Sequence, residues 1–168
     1  SRGNGVCANG MCCSQWGWCG TTSAYCSGGV PPPPPAPAPT AGSSTTAYIT
    51  YHNYVQGQLL TEVACSDGTN GLMTRWGYTT IDPMAPNVAA VSNAAWNSLK
   101  CGVCYRLTAG SKSVYVTAID QCGSGPKGEL HFDLHPEAFK QLLGSLSLGI
   151  GYATVQQVAS SNCKGNKG

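Results

Sequence analysis

The stretch CCSQWGWC (residues 12–19), closed by Tyr25-Cys26, decides the fold of the first part of this chain. So many cysteines in so short a segment indicate that cystines, rather than an apolar core, hold it together. Two tryptophans and one tyrosine then have little interior in which to hide. Exposed rings are costly unless something stacks on them, and the flat apolar face of a pyranose is a suitable partner. The segment therefore predicts a small sugar-binding module, and its size disfavours the alternative of rings packed inside it.

This spacing resembles the hevein-like chitin-binding module over most of residues 3–26. In that family a serine hydroxyl, two tryptophan-type rings and a tyrosine receive N-acetylglucosamine units. The resemblance implies that the carbohydrate-binding residues here are Ser14, Trp16, Trp18 and Tyr25. The first domain is accordingly assigned to residues 1–26.

The cysteines of this module differ from the family pattern in one respect. The hevein-like family normally begins with one more cysteine, just before the position at which this sequence starts. The resemblance implies the disulfides Cys7–Cys19 and Cys12–Cys26, which leaves Cys13 without its usual partner. We expect that the first residues have been trimmed, with a free Cys13 thiol as the alternative. Spacing alone does not establish connectivity.

The composition is that of a secreted, disulfide-stapled protein. Ten cysteines occur in 168 residues, and only 10% of the residues are charged, a pattern typical of proteins outside the reducing cytosol. No apolar run is long enough to span a membrane, and no leader peptide opens the sequence. We therefore expect a mature extracellular or cell-wall protein without membrane contact. A net charge of +2 from scattered basic residues argues against nucleic acid as a partner.

Residues 27–46 have the composition of a linker. Five consecutive prolines, Pro31 to Pro35, favour extended polyproline II, which rises about 3.1 Å per residue. The Gly-, Ser- and Thr-rich residues that follow favour flexibility. Such a spacer holds two modules apart on one substrate and raises the effective concentration of the second. We therefore predict a tethered two-domain protein.

Residues 47–168 have the length of one further domain, and their pattern is mostly β. Alternating and β-branched segments predict strands at residues 47–51, 103–107, 113–119 and 151–158. One helix is expected to begin at Pro136, which suits a first helical position, and to end at Gly144. Several short strands with one or two small helices and further cysteines suggest a small closed barrel.

Segments of this second domain resemble several families of double-psi β-barrels. Residues 63–71, 101–104 and 158–163 resemble the cerato-platanins. Residues 49–54 and 119–122 resemble barwin, and residues 131–134 followed by Ala138-Phe139 resemble the expansins. The resemblance implies a mainly-β, six-stranded double-psi β-barrel with one or two short helices over residues 47–168.

The cysteines of the barrel resemble those of the cerato-platanins in their spacing. The cerato-platanin pattern implies the disulfides Cys65–Cys101 and Cys104–Cys163, each worth about 2–4 kcal/mol of stability. The C-x-x-C at residues 101–104 could also mark a redox pair or half a zinc site, but no second pair and no histidine cluster completes it. Cys122 is left over, as a buried free thiol, an inter-domain partner of Cys13 or a dimer link.

Two carboxylates and a threonine are the candidate groove residues of the barrel. Asp120 ends the strongest predicted strand, and Asp133 follows on what should be a neighbouring strand. The expansin resemblance implies that both lie in a polar groove with Thr50 and that wall loosening depends on Asp133. Paired carboxylates are the minimum for glycoside hydrolysis, yet residues 47–61 contain no acid to serve as the base that related family 45 glycoside hydrolases use. No catalytic residue is therefore assigned, and internally hydrogen-bonded carboxylates are the alternative.

Aromatic residues beside the groove could extend a stacking surface. Tyr51, Trp76 and Tyr78 are candidate additional sugar contacts, and Trp76 is the expected surface ring because its surroundings are loop-like. Trp96 and Tyr105 are expected to pack in the core. The three histidines lack the spacing of a metal site, so neither a metal nor a cofactor is expected.

These patterns together predict a secreted, monomeric polysaccharide-binding protein. The first module is expected to bind chitin or N-acetylglucosamine oligomers. The barrel is expected to bind wall polysaccharide, with β-glucan and cellulose as candidates, and to loosen wall contacts without hydrolysis in the manner of expansins. One alternative is a weak endo-acting glycoside hydrolase that uses Asp120 and Asp133. The other is a barwin-like antifungal defence protein, effector or protease inhibitor.

Overall fold

The computed structural model describes residues 44–168, together with the backbone of two short strands, Cys12–Cys13 and Cys19–Gly20, which pair antiparallel. The chain divides into two units, with the boundary between Thr40 and Ala41. The second unit contains the fold and the site described below.

Six strands close into a barrel in this second unit. They are β1 (Thr45–Tyr51), β2 (Val88–Val91), β3 (Cys104–Ala109), β4 (Lys112–Asp120), β5 (His131–Leu134) and β6 (Gly151–Val158). Their order around the barrel is β1–β5–β2–β4–β3–β6, and β6 pairs with β1 to close it. The β1–β5 and β2–β4 pairs are parallel, and the other pairs are antiparallel. The prediction of a mainly-β, six-stranded double-psi barrel is confirmed.

The first strand begins two residues earlier than the expected domain boundary. Thr45 and Thr46, which the sequence analysis assigns to the linker, pair with Val155 and Thr154 of β6. The β-branched side chains of threonine suit an extended, paired backbone, so the polar composition that marks a linker does not prevent these residues from joining the sheet.

Strand β2 has no counterpart among the predicted strands. Its four residues, Val88–Val91, are all buried, and β2 lies between β5 and β4 in the barrel. A strand buried on both faces is a continuous apolar run without the alternation that predicts a half-exposed strand. The short helix α1 (Leu72–Trp76) was likewise not predicted.

The predicted helix is present as α2 (Pro136–Leu143). The His135 side chain caps its first turn by accepting a hydrogen bond from the Glu137 N–H, and Gly144 ends it with a φ of 92°, a conformation that glycine adopts without strain. Phe139 and its neighbours on one face of α2 are buried in the core. Neither this helix nor α1 is long and apolar enough to cross a membrane.

Two disulfides tie the connecting loops to the barrel. Cys65 is bonded to Cys101, and Cys104 of β3 is bonded to Cys163; these are the pairs that the cerato-platanin resemblance implies. The sequence separations of 36 and 59 residues close large loops, which in the chain-entropy account gives each bond several kcal/mol of stabilisation. The long segment between β1 and β2 is therefore fixed at its middle.

Candidate functional site

Strand register brings the three groove candidates into one row across the outside of the barrel. Thr50 of β1 pairs with Asp133 of β5, Asp133 pairs with Ala90 of β2, and Ala90 pairs with Asp120 of β4. Residues paired across neighbouring strands project to the same face. The inward neighbours of Asp133, Phe132 and Leu134, are fully buried, which leaves this polar row (Thr50, Asp133, Ala90 and Asp120) on the outer face.

Asp133 is hydrogen-bonded through both of its carboxylate oxygens. The Thr50 hydroxyl donates to Oδ1 of Asp133 at 2.8 Å, and Nδ1 of His52 lies 3.0 Å from Oδ2. The Asp133 side chain keeps 18% of its surface exposed. Both carboxylate oxygens therefore have fixed partners, yet the group still faces solvent where a ligand could reach it.

His131 extends this network. Its Nδ1 lies 2.6 Å from the Gly123 carbonyl oxygen, and its Nε2 lies 2.6 Å from Oγ1 of Thr50. A carbonyl only accepts, so Nδ1 is the donor in the first of these contacts. The Thr50 hydroxyl therefore connects the His131 ring to the Asp133 carboxylate.

Asp120 stands in the same row but is bound by the protein backbone. Its Oδ1 accepts hydrogen bonds from the N–H groups of Ala64 and Gln121, both at 2.8 Å. Ala64 precedes the disulfide-bonded Cys65, whose own N–H bonds to the carbonyl of Ile119 at the end of β4. The Asp120 carboxylate therefore fastens this loop to the barrel.

Tyr54 and Cys122 lie close to both carboxylates. The Tyr54 side chain is 5% exposed, and its hydroxyl has no hydrogen-bond partner among the described residues. Burial raises the pKa of Tyr54 well above its ordinary value, and the charges of Asp120 and Asp133 raise it further. Burial, assisted by Asp133, also raises the pKa of Cys122 to about 12, so this half-buried cysteine is a thiol at neutral pH.

Cys122 is half-buried and forms no disulfide with another described residue, which agrees with the expectation of a free thiol. The side chain of Cys13, the partner in the inter-domain alternative, lies outside the described residues. The Cys122 thiol donates instead to the His131 carbonyl at 3.5 Å.

A row of rings runs beside the polar row. Tyr48 of β1 pairs with His131 of β5 on one side and with Tyr152 of β6 on the other. The ring centres are 5.0 Å apart for Tyr48 and His131 and 5.7 Å apart for Tyr48 and Tyr152. Tyr152 is 51% exposed. This ring row (His131, Tyr48 and Tyr152) and the polar row together form the groove.

Tyr48 and Tyr152 were not among the site residues predicted from the sequence. Tyr48 could have been found, because alternate residues of a strand share a face and Tyr48 is two residues before Thr50. Tyr152 could not, because its place next to Tyr48 depends on the pairing of two strands about 100 residues apart in sequence, which periodicity does not predict.

The three rings proposed as additional sugar contacts are engaged inside the protein instead. Trp76 is 5% exposed, and its indole N–H donates to the Gly168 carbonyl. Tyr78 donates to the Gly165 carbonyl and meets Trp76 edge to face, while the half-buried Tyr51 packs on the core. The expectation of a surface Trp76 was wrong because α1 turns the indole inward. The indole packs closely on Gly102, where an added Cβ would lie only 2.9 Å from the ring.

Trp96 was expected to pack in the core, but its side chain is 59% exposed. Tyr105 is buried as expected, and its ring lies 5.1 Å from the ring of Phe132. The difference between the two tryptophan rings is tertiary, because α1 turns Trp76 inward whereas a hydrogen bond to Asp67 holds Trp96 at the surface.

The predicted chitin-binding residues of the first module lie outside the described residues. They are Ser14, Trp16, Trp18 and Tyr25, together with the disulfides Cys7–Cys19 and Cys12–Cys26. Only the backbone pairing of Cys13 with Cys19 and of Cys12 with Gly20 is described there. In the part of the chain whose side chains are described, no group of three or more His, Cys, Asp or Glu residues is arranged to hold a metal ion.

Comparison with known families and structures identifies both parts of the chain. The cerato-platanin family profile matches residues 45–165, and the profile described as chitin recognition protein matches residues 1–31. The heat-stable 19 kDa antigen of Coccidioides posadasii is 34% identical over 128 residues, covering 71% of this chain and 82% of the antigen.

Two solved structures are similar to the barrel. Cerato-platanin 1 from M. perniciosa superposes with a TM-score of 0.61 at 31% identity, covering 70% of this chain and 98% of that one. An expansin from Clavibacter michiganensis superposes with a TM-score of 0.50 at 26% identity, covering 70% of this chain and 51% of the expansin. The barrel, its disulfides and these matches together show that the chain belongs to the cerato-platanin family and carries a chitin-recognition sequence at its N-terminus.

Proposed function

We propose that this protein is a secreted, wall-directed polysaccharide-binding protein that acts without cleaving its substrate. A hevein-like module (residues 1–26) binds chitin or N-acetylglucosamine oligomers, and a linker joins it to the barrel, which binds a β-linked polysaccharide such as chitin, β-glucan or cellulose. The observation that carries this proposal is the groove: a partly exposed Asp133, fixed by Thr50 and His52, beside a row of rings that ends in the exposed Tyr152.

The chemistry of the groove suits a sugar chain. The exposed Tyr152 ring offers an apolar face on which a pyranose can stack, and such contacts contribute about 0.5–1.5 kcal/mol each. The Thr50 hydroxyl, the Asp133 carboxylate and the His52 imidazole beside them can exchange hydrogen bonds with equatorial sugar hydroxyls. Because the side chains around Asp133 already hold one another in place, little conformational freedom is lost when a sugar binds.

The hydrogen bonds of Asp120 favour binding over hydrolysis. An inverting glycosidase needs one acid to protonate the leaving group and a second, free carboxylate to activate water. In this groove the second carboxylate, Asp120, already accepts two backbone N–H groups through Oδ1. These bonds commit the carboxylate to fastening the loop next to Cys65, whereas a general base needs a carboxylate that is free to engage water.

Wall loosening then follows from competition between contacts. A groove that stacks on one patch of a polysaccharide and satisfies its hydroxyl groups replaces the contacts which that patch made with neighbouring chains. The tethered first module would keep the barrel at a high effective concentration near the wall, so that weak binding by each module suffices. Secretion is supported by the two disulfides of the barrel, which persist in oxidising compartments.

The test is retention of the full chain on insoluble chitin, cellulose and xylan, with released reducing ends measured in the same tubes. We expect retention on chitin that falls at least about tenfold in a Trp16→Ala/Trp18→Ala double variant, since two stacking rings are lost. In that background, Tyr152→Ala should lower the residual retention further, and no reducing ends should appear. Undiminished retention of the double variant would contradict the assigned chitin-binding face.

A second candidate function is weak endo-acting hydrolysis, favoured by the presence of Asp120 and Asp133 in one row. Their Cα atoms are two strand spacings apart, about 10 Å, from which the side chains could approach the separation of about 6.5–9.5 Å used by inverting enzymes. Release of reducing ends from soluble β-glucan or chitosan by the unmodified protein, and its loss in Asp133→Asn, would establish this activity in place of non-hydrolytic loosening.

A further inference from the structure

Trp96 is an exposed aromatic ring outside the groove, on the loop that follows β2. The ring keeps 59% of its surface in contact with solvent, although burying it would be favourable by a few kcal/mol. Its indole N–H donates to Oδ1 of Asp67 at 2.7 Å. This single polar atom of the side chain is thus satisfied by the protein, while the apolar face is left uncovered by residues 44–168.

The two loops that hold this ring are locked to each other. Oδ1 of Asn97 accepts the N–H of Asn70 at 2.9 Å, and the Asn70 amide donates back to the Asn97 carbonyl at 2.8 Å. Asn97 adopts a left-handed backbone with a φ of 58°, and a Cβ on Gly68 would lie 2.7 Å from its amide oxygen. The Cys65–Cys101 disulfide joins the same two loops. The Trp96 ring is therefore held in place before any ligand arrives.

The edge of the ring is bordered by groups that bind hydroxyls. The hydrogen bond from Trp96, followed by one from Ser66, lowers the pKa of Asp67, so this fully solvent-accessible carboxylate is ionised at neutral pH. Both of those hydrogen bonds go to Oδ1; Oδ2 takes none from the described residues. A fixed aromatic face with a free carboxylate oxygen at its edge matches a pyranose, which presents an apolar C–H face and equatorial hydroxyl donors.

We propose that Trp96 and Asp67 form a further saccharide-binding site on the barrel, in which a pyranose unit of a β-linked N-acetylglucosamine polymer stacks on the indole and donates a hydroxyl to Oδ2 of Asp67. This inference rests on the proposed function, because it takes the class of ligand from it. It adds a contact separate from the groove and from the N-terminal module. The carboxylate at the edge of the ring, which can accept a hydroxyl hydrogen bond, favours a saccharide over a protein partner.

The test uses the full chain in the Trp16→Ala/Trp18→Ala background, where only Trp76 and Trp96 of the four tryptophans remain. Soluble N-acetylglucosamine oligomers should change the tryptophan fluorescence of this protein, and Trp96→Phe should abolish the change because Trp76 is buried. Trp96→Ala should lower retention on insoluble chitin about three- to tenfold. Asp67→Ala should lower it by a smaller factor, because the ring loses its anchor and the sugar loses an acceptor.

Leu99→Ala is the matched control. Leu99 is 81% exposed on the same loop and makes none of the contacts described above, so its removal should leave both measurements unchanged. Equal effects of Leu99→Ala and Trp96→Ala would indicate a general apolar surface, for example for a protein, and would overturn the inference. The inference would also be overturned if neither chitin retention nor fluorescence in the double-variant background depended on Trp96.

Two different experimental outcomes separate the absence of the Trp96 site from the failure of the proposed function. If retention in the double-variant background depends on Tyr152 and Asp133 but not on Trp96, the groove binds polysaccharide and the Trp96 site does not exist. If the double variant neither binds nor changes fluorescence, the barrel has no saccharide site, which overturns this inference together with the barrel part of the proposed function. The unchanged thermal unfolding expected for Trp96→Ala, an exposed position, excludes misfolding as the cause.

Discussion

Asp133 and Asp120 occupy one row of the same barrel, separated by Ala90, yet the protein uses them differently. Asp133 is held by two side chains, Thr50 and His52, and remains partly open to solvent. Asp120 is held by two backbone N–H groups and fastens a disulfide-bonded loop. Position in a row and residue type are therefore not sufficient to assign a role, because the role depends on which groups satisfy the carboxylate.

Asp120→Ala should give the largest effect of the predicted changes, and it should be an effect on stability. The Ala64 N–H would lose its charged acceptor in a partly buried site, which costs about 2–3 kcal/mol, and the loop next to Cys65 would loosen. Chemical denaturation would measure the loss. Asp120→Asn, which keeps an acceptor oxygen, is the control and should recover most of the stability. A stable Asp120→Ala variant with impaired polysaccharide retention would reverse the assigned roles.

Asp133→Ala should affect binding rather than folding. We expect about a tenfold loss of polysaccharide retention through the groove, equivalent to roughly 1.4 kcal/mol, since a fixed acceptor of sugar hydroxyls is lost. The free energy of unfolding should change by less than in Asp120→Ala because Asp133 is open to water. Retention is best measured in the Trp16→Ala/Trp18→Ala background. Equal losses of stability in Asp133→Ala and Asp120→Ala would contradict the different roles assigned to the two acids.

Thr50→Val tests whether the hydroxyl positions Asp133. Valine has a similar shape but no hydroxyl, so His131 and Asp133 lose the group that connects them. We expect a loss of about 1 kcal/mol in the free energy of unfolding and a loss in retention smaller than that of Asp133→Ala. Thr50→Ser, which restores the hydroxyl, should recover retention. A retention for Thr50→Val equal to that of the unmodified chain would show that Asp133 needs no such support.

The smallest predicted effect concerns Cys122, which lies near both acids. Its pKa rises from an ordinary 9.0 to about 12 in the folded protein. Above pH 9 the unfolded chain releases this proton while the folded chain keeps it, so stability is complete below pH 9 and falls as the pH rises. Cys122→Ala should therefore make the fall of unfolding free energy above pH 9 less steep than in the unmodified chain, because the buried tyrosines contribute equally to both proteins. An unchanged slope would place the thiol in a more solvated site.

The fold could largely be predicted from the sequence where local pattern and tertiary environment agree. Strand β6 and helix α2 each have one buried and one more exposed face, and β3 and β4 alternate over part of their length, so their periodicity is visible along the chain. The run Val88–Val91 shows no periodicity because all of it is buried. The assignment of Thr50 and Asp133 to one groove came from family resemblance, and the barrel register brings them together.

The aromatic residues show where such prediction stops. Trp76 and Trp96 are the same residue type, but one ring is turned into the core by α1 and the other is held at the surface by Asp67. Similarly, Tyr152 joins the groove only because β6 closes the barrel against β1. Each outcome depends on contacts between segments that are distant in sequence.

The amino-acid sequence by itself determined the two-part organisation expected here, the linker composition, the barrel class and the residue types of the groove, because cysteine spacing, proline runs and hydrophobic alternation are local properties. Only the tertiary structure decided which groups satisfy each carboxylate, which ring is exposed and which side chains share hydrogen bonds. The physical reason is that exposure and hydrogen bonding are set by strand register and loop packing, and neither is encoded in any short stretch of the chain.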